Sequence, residues 1–186
     1  MKNPTQLPAT TLSQQKAFAI FDDLEAVHLQ FMLGTWKGRE LHTGHPMEGM
    51  LDLLQWYGKE FVDYETVHPL LCRTKHDKFF YANPGLMPFD SPLFRKCICG
   101  HLPMTALQII STLILPLVHT KRSKARIRMI EHRGIVSAAM IYDQLGICDV
   151  FRKLDENTVL GVMDLKGEHQ LGYFFVLERV VKSSAN

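Results

Sequence analysis

The stretch 32-MLGTWKGRELHTGHPMEGMLDLLQWYGKEF-61 decides how the rest of the chain is read. It carries the pattern Gly34-x-Trp36-x-Gly38. A tryptophan flanked by glycines at the start of a strand is a steric device: the ring plugs one end of a sheet, and the glycines let neighbouring backbone pass close to it. Thr35 to His42 reads as the first strand, with Trp36 on the side opposite Lys37, Arg39 and Leu41. Thr43-Gly44-His45-Pro46 is turn chemistry that holds His45 between two backbone-restricted residues. Met50, Leu53, Leu54 and Tyr57 recur at helical spacing, so Glu48 to Tyr57 is expected to be a short helix capped by Gly58. Lys59-Glu60-Phe61-Val62 opens the next strand, read as Phe61 to Val67.

Upstream, Met1 to Leu12 is polar with two prolines and reads as a loose arm. Ser13 is a good N-cap, and Ala17, Phe18, Ile20, Phe21 and Leu24 recur at helical spacing behind it. An amphipathic helix over Ser13 to Asp23 needs an apolar surface to cover, either a barrel mouth or a partner subunit, which leaves a homodimer open. Val27 to Met32 reads as a further short turn of helix. Downstream, Lys78 to Ala82 is a strand. Asn83 to Thr120 is irregular, with turn signals at Asn83-Pro84-Gly85 and Pro88-x-x-Ser91-Pro92. Its apolar run, Met104 to Val118, is about 15 residues long, below the ~20 that span a bilayer. It reads as a buried or capping helix. The alternative is a lid making transient membrane contact, backed by the basic Lys121-Arg122.

From Ala125 the chain is all β. Arg126 and Arg128 alternate with Ile127 and Met129, and Ile135 to Tyr142 is apolar on both faces. Cys148 to Leu154 and Thr158 to Leu165 flank a turn at Asp155-Glu156-Asn157. Lys166 to His169 is the next turn, and Tyr173 to Val181 the last strand. About eight hairpin-joined strands emerge, enough to close an antiparallel barrel that holds one small ligand.

Composition excludes several function classes. With 186 residues, 46% hydrophobic and 22% charged, the chain is globular, and a net charge of +2 gives no nucleic-acid footprint. The four cysteines, Cys72, Cys97, Cys99 and Cys148, form no CxxC pair and read as reduced thiols. The N-terminal segment has no apolar core of signal-peptide type, so a cytoplasmic location is expected. There is no G-x-S-x-G elbow, and Pro69 separates His68 from Cys72. No H-x-x-x-H, H-E-x-x-H or glycine-rich phosphate motif occurs, and His42 and His45 make a poor metal pair. No catalytic residue and no metal ligand is assigned; binding is preferred over catalysis.

The opening stretch resembles the GXWXG domain. The second half resembles the uncharacterised domain that usually follows it, through Tyr142-Asp143, Asp149-x-Phe151-Arg152, Val159-Leu160-Gly161-x-Met163-Asp164-x-Lys166-Gly167 and Phe174-Phe175-Val176-Leu177-Glu178-Arg179. The matches run from about Asp22 to Val181; Leu145-Gly146-Ile147 departs from them where a proline is expected. The expected architecture is mainly β: one antiparallel barrel, calycin- or lipocalin-like by analogy, with an N-terminal helix and a helical insertion. Its parts are an arm and helix (1–23), the GXWXG domain (24–84), the insertion (85–121) and a C-terminal β domain completing the same barrel (122–186).

Barrels of this size either fill with side chains or enclose a cavity. The expected ligand-binding set is Trp36, Arg39, His45, Trp56, Tyr57, Phe61, Met140, Tyr142, Asp143, Phe151 and Arg152, with Arg179 as a further cation. Such a pocket suits a carrier of a fatty acid or similar lipid, without cofactor. One cation with one or two hydroxyls would meet the carboxylate. A second reading rests on resemblance: Gly-Thr-Trp-Lys-Gly is similar to the opening strand of nitrobindin-type barrels, which implies a haem or nitric-oxide site with His45, His119 or His169 as ligand. A third is an isomerase or cyclase of apolar substrates using Asp143 or His45 as general acid or base. A fourth is an interaction protein that docks through its first helix.

Overall fold

The computed structural model describes residues 11–74, 77–87 and 115–181. The arm to residue 10, the turn at 88–92, most of the apolar run at 104–118, and Cys97 and Cys99 lie outside them.

Helix α1 (Gln14–Asp23) starts where the Ser13 hydroxyl accepts from the Lys16 amide. Strand β1 (Glu25–Ala26) and helix α2 (Leu29–Met32) lead into β2 (Gly34–Glu40), α3 (Met50–Leu53), β3 (Trp56–Phe61), β4 (Val67–Arg73) and β5 (Phe79–Ala82). After 3-10 turns at Pro84–Leu86 and Leu115–Val118 come β6 (His119–Thr120), β7 (Ala125–His132), β8 (Ile135–Tyr142), β9 (Ile147–Asp155), β10 (Thr158–Leu165) and β11 (Glu168–Arg179).

Eight of these strands close a ring, β2-β3-β4-β7-β8-β9-β10-β11 and back to β2, with every pairing antiparallel. The fold is thus the expected single antiparallel barrel. Its seam is thin. Val67 of β4 pairs with Ala125 of β7, while Leu71, Cys72 and Arg73 of the same strand pair with β5 instead.

The barrel buries two cores. Inside lie Trp36, Phe61, Ile127, Met140, Phe151, Phe175 and Leu177. Outside, helix α1 covers β9, β10 and β11, burying Ala17 and Phe21 against Val150, Leu160, Phe174 and Val176. The apolar face of α1 is therefore spent on the barrel's own wall and not on its mouth. Both faces of β9–β11 are buried, which is why their sequences carry apolar residues at consecutive positions.

Trp36 seals one end. It is fully buried, and its Nε1 donates to Met32 O at 2.7 Å. The Arg179 guanidinium lies 4.2 Å from the ring centroid and donates to Leu33 O and Phe31 O at 3.0 and 2.6 Å. The two strands of the signature meet through their glycines. A Cβ on Gly38 would stand 2.0 Å from the Trp56 ring, and one on Gly58 would stand 1.8 Å from Trp36 O. Gly58 is therefore a mid-strand residue and not a helix cap.

Two further expectations are corrected. The helix read over 48–57 shrinks to Met50–Leu53, because Gln55 takes φ 53° and Trp56 already belongs to β3. The strand read over 61–67 is the hairpin turn between β3 and β4: Val62 N donates to Thr66 O, and the Asp63 carboxylate accepts from the Glu65 and Thr66 amides.

Candidate binding site at the capped end of the barrel

Strand register places Arg179 beside Trp36 at one end and Phe175 beside Glu40 towards the other. There the 41–54 segment folds over the barrel, and beneath it lies an interior cavity of about 30 Å³. Met47, Met50, Leu51 and Leu54 form its cap. Its walls are Trp56 and Lys59 of β3, Leu70 of β4, Tyr142 of β8, Ile147 and Asp149 of β9, Met163 of β10, and Tyr173 and Phe175 of β11, with Pro84 beside them.

One polar cluster sits in this apolar wall. Lys59 Nζ lies 2.8 Å from Asp149 Oδ2, with side chains only 3% and 2% exposed. The same ammonium donates to Pro69 O at 3.3 Å and lies 4.9, 5.5 and 5.8 Å from the ring centroids of Phe175, Trp56 and Tyr142. Tyr142 OH donates to Asp149 Oδ2 at 3.3 Å. Burial pushes the Asp149 carboxyl above its ordinary value, against the pull of Lys59 and Tyr142. Burial also pushes the Tyr142 hydroxyl well above its own, helped by the Asp149 charge. Two side-chain atoms in this wall, Asp149 Oδ1 and Trp56 Nε1, are buried without a hydrogen-bond partner.

The phase of β3 creates the cluster. Strict alternation from Trp56 would send Lys59 to the outer face. The β3–β4 register shifts between Trp56 and Gly58 and again between Gly58 and Glu60, so Trp56 and Lys59 both line the interior.

The cap is tied down by two carboxylates. Glu40 accepts from the Gly49 and Leu51 amides at 2.7 and 2.8 Å and from Tyr173 OH. Glu48 accepts from the Thr43 and His45 amides at 2.5 and 3.0 Å. Burial works to raise the Glu48 pKa, but backbone amides at 43–45 prevail and hold it below the usual range. His45 Nδ1 accepts from Met47 N at 3.1 Å, and its ring meets Tyr173 edge-on.

Of the residues singled out from sequence, Trp56 and Tyr142 line this cavity. His45 sits in the cap segment. Phe61, Met140 and Phe151 belong to the interior core without lining the cavity, and Trp36 belongs to the far seal. Tyr57 packs on Phe79 in a groove of about 580 Å³ on another face, with Glu60 and Tyr81. Arg39 is exposed on the side away from Trp36, and Asp143 is exposed too. Arg152 is fully buried under α1, its guanidinium 4.8 Å from the Phe21 ring centroid and donating to His132 O. Arg152 does not pair with Asp149, although the two are only three residues apart, because residues at that spacing on a strand face opposite sides. Lys59, Asp149, Tyr173 and the four cap residues were not among the sequence-derived candidates.

Among the described residues, no group of three or more His, Cys, Asp and Glu could hold a metal ion, and no helix is long and apolar enough to cross a membrane. His119 is exposed, and the cavity is far smaller than a haem. Cys72 and Cys148 are free thiols, both pushed up to about 12 chiefly by burial.

Comparison with known families matches residues 19–76 to the GXWXG protein model and residues 123–179 to a domain of unknown function, DUF4334. No curated protein matches the chain. Among solved structures, a protein from Thermomonospora curvata is similar: 30% identical, TM-score 0.67, with 92% of this chain and 90% of that one covered.

Proposed function

This chain belongs to the GXWXG family with a DUF4334 C-terminal half, and we propose that it binds a small hydrophobic or amphipathic molecule, such as a lipid, at the capped end of its barrel. The observation that carries this reading is the Lys59–Asp149 pair buried in an apolar wall beneath a cap of methionines and leucines. A buried ion pair is a poor source of stability, since apolar residues of similar volume hold a core at least as well. Perturbed ionisable groups in an apolar recess are, in turn, a mark of functional sites.

A cavity of about 30 Å³ has room for a water or a head group, whereas small-molecule sites enclose roughly 300–1,000 Å³. A guest therefore takes the place of cap side chains. The cap is suited to this. Helix α3 is one turn long, too short to be stable by itself, and Met47 and Met50 are unbranched and repack easily.

Uptake of a neutral apolar fluorophore, N-phenyl-1-naphthylamine, tests the reading together with native mass spectrometry of protein purified from bacteria. The expected result is saturable uptake in the micromolar range that Leu54→Trp, which fills the cavity, abolishes. Absence of uptake at tens of micromolar, with no co-purifying mass, would overturn it.

A further inference from the structure

We infer that the guest's head group is a neutral hydroxyl, so that the ligand is an apolar alcohol rather than a fatty carboxylate. This rests on the binding reading above and concerns only what the polar end of the cavity selects.

Lys59 is not a free cation awaiting an anion. Its charge is already met by Asp149 at 2.8 Å, and its remaining protons face Pro69 O and three aromatic rings. An incoming carboxylate would add a second anion beside Asp149 in a site buried away from bulk solvent, and like charges at such range disfavour ionisation. An ammonium head would stand against Lys59 for the same reason.

The atoms that do lack partners define the complementary group. Asp149 Oδ1 accepts and has no donor; Trp56 Nε1 donates and has no acceptor. Both residues line the same cavity, and Asp149 is 1% exposed. Buried polar atoms left unpaired are rare and call for an explanation. A hydroxyl both donates and accepts, so one oxygen can serve both. An ether or ketone can accept from Trp56 but leaves Oδ1 bare, and a hydrocarbon leaves both. Water shares the hydroxyl's bonding pattern, so affinity comes from the apolar tail displacing cap side chains, while discrimination among tails of equal size comes from the head. This is the arrangement in which a site rejects an analogue lacking one hydroxyl, because its own buried groups are then stranded.

The experiment compares octan-1-ol, octanoate and 1-methoxyheptane at pH 7.5 as competitors of N-phenyl-1-naphthylamine on the full chain. The expected result is that octan-1-ol competes at least ~10-fold more tightly than either of the others. Trp56→Phe, which keeps the ring against Phe175 but deletes the donor, weakens the alcohol and the ether in parallel and preserves the ratio between them. Octanoate competing as well as octan-1-ol, or ether and alcohol competing equally, overturns the hydroxyl assignment while binding itself stands. If the fluorophore is not taken up at all, the binding reading falls and this inference with it.

Discussion

Removing the buried ion pair one partner at a time, and then both together, separates what Lys59 and Asp149 do for the fold from what they do for the site. Asp149→Leu leaves a lysine that is 3% exposed with only Pro69 O and aromatic faces around it. Lys59→Met leaves a carboxylate that is 2% exposed with only Tyr142 donating to it. An uncompensated buried charge costs about 3–5 kcal/mol, a large share of the roughly 5–15 kcal/mol that holds a domain together. The double variant, Lys59→Met with Asp149→Leu, removes both charges and fills the space with apolar volume. It is expected within about 1 kcal/mol of the parent, so the coupling between the two sites is about 5 kcal/mol or more. Urea unfolding followed by far-ultraviolet circular dichroism measures all four proteins, with the slope of the transition checked for constancy. The same double variant is expected to lose discrimination between octan-1-ol and octanoate. The reasoning fails if each single variant costs under about 1 kcal/mol, or if the double costs the sum of the singles, for then neither charge depends on the other in the fold.

Three other outcomes follow from the geometry. Gly58→Ala should cost more than about 3 kcal/mol, because a Cβ 1.8 Å from Trp36 O cannot be relieved without moving strand β2; a soluble variant melting within a few degrees of the parent would contradict the close-approach account. Phe21→Ala should cost about 3–5 kcal/mol by opening a void between α1 and β11, yet leave fluorophore affinity unchanged, since α1 covers the outer wall; a loss of affinity would tie α1 to the site. Burial holds the His68 and His132 pKa values below the ordinary 6.5, so their contribution to stability is present above that pH and is lost as pH falls from 6.5 through the lower folded values. Asp22, hydrogen-bonded by Arg133, and Glu48, held by backbone amides, are also depressed and add a second loss as pH falls below about 4. Urea midpoints at pH 7.5, 5.5 and 3.5 should therefore decrease in that order, by up to about 1.4 kcal/mol per pH unit for each histidine, and a flat profile from 7.5 to 5.5 would refute the buried-neutral histidines.

How much of this was legible depended on range along the chain. The C-terminal hairpins were plain from alternation and turn residues, and the Gly34-x-Trp36-x-Gly38 device correctly marked a sealed strand. Helical spacing of Met50, Leu53, Leu54 and Tyr57 overstated α3, because the pressure on Gly58 to let β2 pass comes from a partner strand that local periodicity does not see. The core of the site was hidden for the same reason. Lys59 faces inward only because β3 slips register against β4, and its partner Asp149 lies on β9, far off in sequence. Arg152 is the nearest opposite charge to Asp149 along the chain, but the strand's own alternation sends it to the opposite face.

The most direct measurement is a crystal structure of the protein grown or soaked with octan-1-ol. The account predicts the cap residues Met47, Met50, Leu51 and Leu54 moved aside, the tail in their place, and the alcohol oxygen within hydrogen-bonding distance of Asp149 Oδ1 and Trp56 Nε1. A cap still closed over the Lys59–Asp149 pair, with no alcohol density beneath it at saturating concentration, would contradict it.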